Sequence, residues 1–426
     1  MAVESRDLEK LGVKFVEAGF LDPDGVLRSM TFPVRKLDEL LSEGFGFDGY
    51  STGYADIEDS DLVARPIPST MRVYSIDGVR SAFFICDLEK DGKPLEHYPR
   101  NVLKRMLEES PYDVLIGPEV EFCVLKSGEV SDRGLYMASH PDDELEFAKR
   151  ELMEELENLG FEVEVSHHEV GPGQHEITFK ASDPLKVADD LVFYKKFLKA
   201  YFRARGYAVT FMPKPFKGLA GNGMHLHMSL WMGGKSVFSD GEGLTEEALH
   251  FIGGLLKYAR EIAVYTNSTV NSYKRLVPGF EAPVYLLWGY GNRSVLVRVP
   301  KYRKMTEREA RVEYRAPDPA GNLYLTFAAV IAAGLKGIEE RADPGEAFCG
   351  NAYELEHRTF GLMPSSLHEA LEADTGSLER LRCIRSRYRK LKEKEWREYR
   401  EYLEKSGLPL NTLDITEWER SKYMGR

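Results

Sequence analysis

Gly117-Pro118-Glu119-Val120-Glu121-Phe122 sets two carboxylates two residues apart in an apolar run, which reads as a β-strand bearing both acids on one face. Taken alone, such a pair is most often a solvated strand face. It gains meaning from similar short strand-like stretches elsewhere. These carry Glu169 in His167-His168-Glu169-Val170, Glu176 in Gln174-His175-Glu176, His225 in Met224-His225-Leu226-His227, and Glu313 in Val312-Glu313-Tyr314. Five carboxylates gathered on one sheet repel one another unless cations neutralise them. Oxygen-rich ligation with one imidazole favours Mg²⁺ or Mn²⁺. These strands predict one shared sheet around a pair of divalent cations.

Outward from that sheet, the pattern is α+β. Ser81–Leu88 closes an N-terminal region of short strands, and Tyr98-Pro99 opens a helix at Asn101–Glu109, which predicts a division into residues 1–98 and 99–426. Tyr112–Leu125 reads as a strand. Asp142–Leu159 reads as a helix with an apolar stripe of Leu145, Ala148, Leu152 and Leu156, stopped by Gly160. Phe161, Val163 and Val165 alternate with glutamates as a half-buried strand whose face runs on into His167 and Glu169. Asp189–Arg205, Thr245–Thr266 and Tyr324–Glu340 read as helices. Leu378–Lys405 reads as a charged helix with a solvated or subunit-packing face.

The chain has 426 residues, is 43% hydrophobic and 30% charged, and carries a net charge of −12. That balance suits a globular protein and excludes a general nucleic-acid or anionic-membrane surface. No apolar run of membrane-spanning length is present, and Cys86, Cys123, Cys349 and Cys383 form no paired motif, so a reducing cytoplasm is the expected setting.

Two further patterns bear on chemistry. His225, His227 and Ser229 share a strand face behind the glycines Gly221 and Gly223, which suggests close backbone approach to a ligand. Arg275, Arg293, Arg298, Arg311 and Arg315 crowd one segment, and guanidinium clusters suit carboxylates and phosphates. Metals, arginines and a glycine turn together point to phosphoryl transfer.

The motifs Phe47-Asp48-Gly49, Gly117–Glu121, His167–Glu176, Asn222–Ser229, Asn271–Pro283, Asn292-Arg293-Ser294 and Glu313–Pro319 resemble, in order, those of class I glutamine synthetase. The resemblance implies a small N-terminal β-grasp domain and a large catalytic domain with a curved antiparallel sheet flanked by helices. It implies ATP-dependent ligation of ammonia to glutamate through a γ-glutamyl phosphate. It also implies a homododecamer of two hexameric rings with active sites between subunits.

Carried over by motif, Glu121, Glu169 and Glu176 would hold one metal, and Glu119, His225 and Glu313 the other. Arg275, Arg315 and Gly221 would bind glutamate. Arg293 and Arg298 would stabilise the transferring phosphate, with His227, Ser229 and Arg311 on the nucleotide side. Glu281 would sit on a flap, and Asp48 of an adjacent subunit would take a proton from ammonium. Three departures bear on the nucleophile: Ala220 before Gly221, Trp288-Gly289 before Asn292, and Tyr50 after Gly49. They raise a γ-glutamyl-amine ligase as the alternative, with a catalytically silent relative as a third reading. Tyr353 carries no recognisable modification motif.

Overall fold

The computed structural model describes residues 4–278, 282–301, 305–355 and 360–426. Two mixed sheets organise them. In the first, the strands run in the order Leu27–Pro33, Phe15–Leu21, Val79–Lys90, Asp61–Pro66, Phe45–Asp48, with Arg72–Ile76 also paired to Val79–Lys90. Phe15–Leu21 and Val79–Lys90 run parallel, and the helix Leu37–Glu43 covers them through Leu37 and Leu40 against Val16, Ala82 and Phe84. This is the strand-and-helix arrangement implied for the N-terminal region.

The larger sheet has the order Val163–His168, Gln174–Phe179, Asp113–Lys126, Met224–Met232, Val312–Tyr314, Val297–Val299, Trp288–Tyr290. Its pairs are antiparallel except for the edge pair Trp288–Tyr290 with Val297–Val299, which is parallel. The short return is held by Asn292, whose side chain accepts from the Ser294 amide (2.9 Å) and donates to the carbonyl of Gly350 (2.9 Å).

The apolar face of this sheet, including Val120, Phe122, Ile177, Leu226 and Met228, is buried in the main core with the helices Pro184–Arg203, Glu246–Thr266 and Leu323–Glu340. Their starts follow from capping. Asp183, Thr245 and Asn322 accept from the amides of Lys186 (3.0 Å), Ala248 (3.2 Å) and Leu325 (3.3 Å). The Asp183-Pro184 cap moves the first of these helices five residues ahead of the expected Asp189.

Three expectations need correction. The Asp142–Leu159 helix begins at Glu146, because Asp143 instead accepts from the Leu145 amide (3.0 Å) and pairs with Lys149 (2.7 Å). Val165 does not share a face with Phe161 and Val163. A register irregularity between Val163 and Val165 leaves Val165 exposed while Phe161 packs in the core. The charged C-terminal helix, Arg382–Ser406, is not merely a surface face: Tyr388 stacks on Tyr265 at 5.2 Å, and the buried Lys392 pairs with Asp24 (2.5 Å) and Glu395 (3.1 Å). No described helix is long and apolar enough to cross a membrane.

The helices Glu246–Thr266 and Leu323–Glu340 meet at glycine. A Cβ built on Gly254 would lie 2.3 Å from the Ala333 carbonyl and 2.6 Å from the Gly337 Cα. Backbone on both sides leaves no side chain to yield. Gly254→Ala should therefore force the helices apart and destabilise the protein by about 1–3 kcal/mol, read as a lowered Tm; an unchanged Tm would show that the contact is loose.

Candidate active site

Strand register, more than any single residue, assembles the site. Glu119 lies opposite His225 on one side and Thr178 on the other; Glu121 lies opposite Glu176, and Glu176 opposite His167. Glu313 lies between His227 and Arg298. Opposed residues share a face, so the polar side chains stand together while their neighbours in sequence fill the core. Glu169 follows directly after its strand instead of lying within it.

A cavity of about 430 Å³ opens over this face, lined by Glu119, Glu121, Glu169, Glu176 and His225 together with Arg275, Arg293, Arg315 and Gly221. Glu313 lies fully buried beneath it, gripped by both Arg298 and Arg315.

The carboxylates fall into two electrostatic classes. Burial raises Glu119 and Glu313, but their cationic neighbours win. Glu119 takes bonds from His225 (3.2 Å) and His227 (2.9 Å) and is held well below the usual range. Glu313 is held at about 2 by Arg315 and the two histidines. Glu121 and Glu176 behave oppositely. Burial, reinforced by Glu169, pushes Glu121 up to about 8, despite bonds from the Gln174 amide (2.9 Å) and the Gly223 N–H (2.7 Å). Burial and four surrounding carboxylates raise Glu176 well above its ordinary value, and among the described residues its carboxylate receives no hydrogen bond.

Buried acids that lack a cation, facing a cavity with a hard oxygen donor set, fit Mg²⁺ or Mn²⁺. Two groupings on this face, His167, Glu169 and Glu176, and Glu119, His227 and Glu313, have donor atoms within 4.8 Å of one another, as does a third, Asp132, His168 and His175, buried behind it. His225 lies 3.8 Å from Glu313 and 3.9 Å from Glu121, which is in none of these groups.

Comparison with known proteins bears directly on this arrangement. The glutamine synthetase catalytic-domain profile matches residues 96–409, and the beta-Grasp domain profile of the same family matches residues 12–90. The chain belongs to the glutamine synthetase family. It is 45% identical to a glutamine synthetase from Pyrococcus horikoshii, with 96% of each chain covered, and 39% identical to one from Thermotoga maritima over the full length of both. A solved structure described as apo GmaS without ligand superposes with a TM-score of 0.86 at 30% identity, covering 99% of each chain. As a glutamine synthetase family member, the protein is a ligase.

Other residues singled out from sequence fall in different places. Arg275 spends its guanidinium on the carbonyls of Ala316 (2.7 Å), Pro317 (3.3 Å) and Arg315 (3.3 Å). The glycines before His225 answer to that arginine: a Cβ on Gly223 would come within 2.5 Å of its Nη2, and one on Gly221 within 2.3 Å of the Pro213 carbonyl. Arg311 donates to His227 (3.3 Å), and Ser229 accepts from the Trp231 indole (3.0 Å). Arg298, buried on Glu313, and Ser229 do not line the cavity. Asp48 stands exposed on the first sheet, away from the cavity of its own chain, and Glu281 lies outside the described residues. Trp288 is core: its indole donates to the Gly345 carbonyl (3.0 Å), and Gly289 is required because a Cβ there would meet the Phe348 carbonyl at 2.5 Å. The Trp-Gly departure therefore has a packing cause.

Sequence reasoning missed the support behind the ligands. Asp132 accepts from the Gly173 amide (3.0 Å) and the Gly134 amide (3.2 Å) and binds His168 Nε2 (2.8 Å); the other ring nitrogen of His168 donates to the Glu169 carbonyl (2.6 Å). His175 completes the buried group against Lys149 (3.1 Å). One aspartate thus pins the turn on which Glu169 and Gln174 sit. The available signal was His168: alternating with His167, it had to face the core, where an imidazole needs a partner.

Without metal, Glu121 binds a proton in the folded state up to about pH 8, while its ordinary value is 4.5. The native form thus holds more protons than the unfolded form across that window, and stability falls as pH rises through it. Saturating Mg²⁺ should flatten the fall in Tm between about pH 5 and pH 8 and release protons on binding, measured by calorimetry in buffers of different ionisation heat. Identical pH slopes with and without metal would remove these carboxyls from the metal site.

Proposed function

We propose that this family member joins ammonia to the side-chain carboxylate of L-glutamate at the expense of ATP, forming L-glutamine through a γ-glutamyl phosphate. The observation that carries this reading is one cavity lined both by a cluster of carboxylates and by Arg275, Arg293 and Arg315. A carboxylate is a poor acyl donor. Its oxygen attacks the terminal phosphorus of ATP, ADP leaves, and the acyl phosphate is then open to attack by ammonia, with phosphate as leaving group.

The roles proposed are those of the family motifs that these residues match. Arg275 and Arg315, with the backbone at Gly221, bind the α-carboxylate of glutamate. Glu121, Glu169 and Glu176 would hold one Mg²⁺ or Mn²⁺, and Glu119, His225 and Glu313 the other. When bound, these ions neutralise phosphate charge and polarise the phosphoryl group. Arg293 and Arg298 would stabilise charge on the transferring group, with His227, Ser229 and Arg311, outside the lining of this cavity, on the nucleotide side. A solved GmaS structure is described as an ADP complex, which supports a nucleotide as a ligand of this chain. Glu281, on a flap, would keep water from the acyl phosphate.

Asp48 would serve a neighbouring subunit. A hydrogen bond from Ser51 holds its carboxyl below the usual range, so it stays ionised to attract ammonium and accept its proton. This role calls for an assembly, read as a dodecamer of two hexameric rings, built from a β-grasp domain at 1–98 and a catalytic domain at 99–426, working in the cytoplasm.

The second reading, ligation of a small amine, is favoured by the likeness to GmaS and by Tyr50, which stands 53% exposed beside Asp48. Initial rates with ammonium, methylamine, ethylamine and putrescine discriminate. Ammonium should give the highest kcat/KM, and a higher value for any amine would transfer the assignment. Asp48→Asn should lower the ammonia step by about 10²–10⁴-fold while formation of the acyl phosphate, trapped with hydroxylamine, persists. Equal loss of both steps would contradict the role given to Asp48.

A further inference from the structure

A second cavity, of about 260 Å³, opens between the turn Gly25–Leu27, the helix Pro184–Arg203 and residues 425–426, and shares no lining residue with the catalytic cavity. Its apolar lining comes from Leu21, Val26, Leu27, Val192 and Leu323; its charged side chains are all basic, Lys195, Lys196, Lys199 and Arg426.

Two of those cations are paired and two are not. Lys196 lies 2.9 Å from Glu17 and Arg426 lies 3.2 Å from Asp24. Lys195 donates only to the Pro319 carbonyl (2.5 Å) and Lys199 only to the Gly425 carbonyl (2.8 Å). Among the described residues neither reaches a carboxylate within ion-pair distance, although the chain has 69 acidic residues against 57 lysines and arginines.

Both ammoniums also stand over the one ring of Phe211, at 4.9 and 5.5 Å. Four apart on a helix, they share a face, and like charges at that spacing repel. Burial lowers both, and nearby cations add to it, Lys199 and Arg426 at Lys195 and Arg426 at Lys199, with Asp318 only partly offsetting this at Lys195: Lys195 falls well below its ordinary value and Lys199 to about 8. An ammonium has three protons to donate, and a neutral carbonyl uses one of them. Partly buried, unmatched charge of this kind costs stability unless a ligand supplies the counter-charge.

We propose that this cavity binds a compact dianion, its charged group between Lys195 and Lys199 and its aliphatic body against Leu21, Val26 and Leu27. Phosphate monoesters and short dicarboxylates share that chemistry. The ligand would tie the first sheet's turn to a catalytic-sheet helix, so its binding would stiffen the junction between them.

The test is thermal unfolding of the full chain against inorganic phosphate and against succinate, each at matched ionic strength with chloride. A saturable rise in Tm is expected with at least one, and which one assigns the anionic group. Lys199→Met and Lys195→Met should weaken the apparent affinity at least tenfold, yet unfold no earlier than wild type without anion, because each removes an unmatched charge. Lys199→Arg should retain the effect. Anion binding in the catalytic cavity would survive in both methionine variants. No anion-specific rise, a rise unchanged in both methionine variants, or methionine variants that are less stable than wild type while Lys199→Arg loses the effect would each overturn the proposal.

Discussion

Like charge held at close quarters is the constraint on which this molecule is built. Glu119, Glu121, Glu169, Glu176 and Glu313 cannot all be ionised on one sheet face without compensation. The protein compensates two of them itself: Arg298 and Arg315 clamp Glu313, while two imidazoles bind Glu119. Glu121 and Glu176 are left short of positive charge, and burial with neighbouring carboxylates raises both above the ordinary carboxylate range. Such an arrangement lowers stability for its own sake and becomes intelligible only with a cation as part of the working state.

Everything around this face holds it flat and dry from behind. The apolar side of the same strands is sealed by three long helices, two of which touch through glycine backbone. Between ligands and helices lies a small polar layer, Asp132 with His168, His175 and Lys149, in which most polar atoms meet a partner. Orientation of the turn at Glu169 is therefore fixed by hydrogen bonds on the side away from the cavity, a common device where ligand geometry matters.

Much of this was legible in the sequence, for identifiable reasons. Alternation in Gly117–Phe122 and Met224–Ser229 fixes which side chains face the cavity, since a strand has only two faces. Long apolar periodicity placed the helices, and local caps explain the few residues by which their starts were missed. Contacts that join distant segments were not legible. Nothing local to Asp132 marks it as the partner of His168, thirty-six positions on. The irregularity that exposes Val165 has no glycine or proline to announce it. Trp288-Gly289 looked like a substrate determinant because the Phe348 carbonyl that dictates the glycine is sixty positions away.

The facing pairs in the large sheet also limit how the chain can change over time. A single inserted residue ahead of Glu119 would turn both it and Glu121 into the helical layer and bring Val120 to the cavity, removing two ligands at once. Point substitution can be absorbed one position at a time, but length cannot. Variation in chain length among descendants should gather in the connections between strands, and the irregularity near Val163 marks the outermost strand as the place where the sheet has already tolerated a slip.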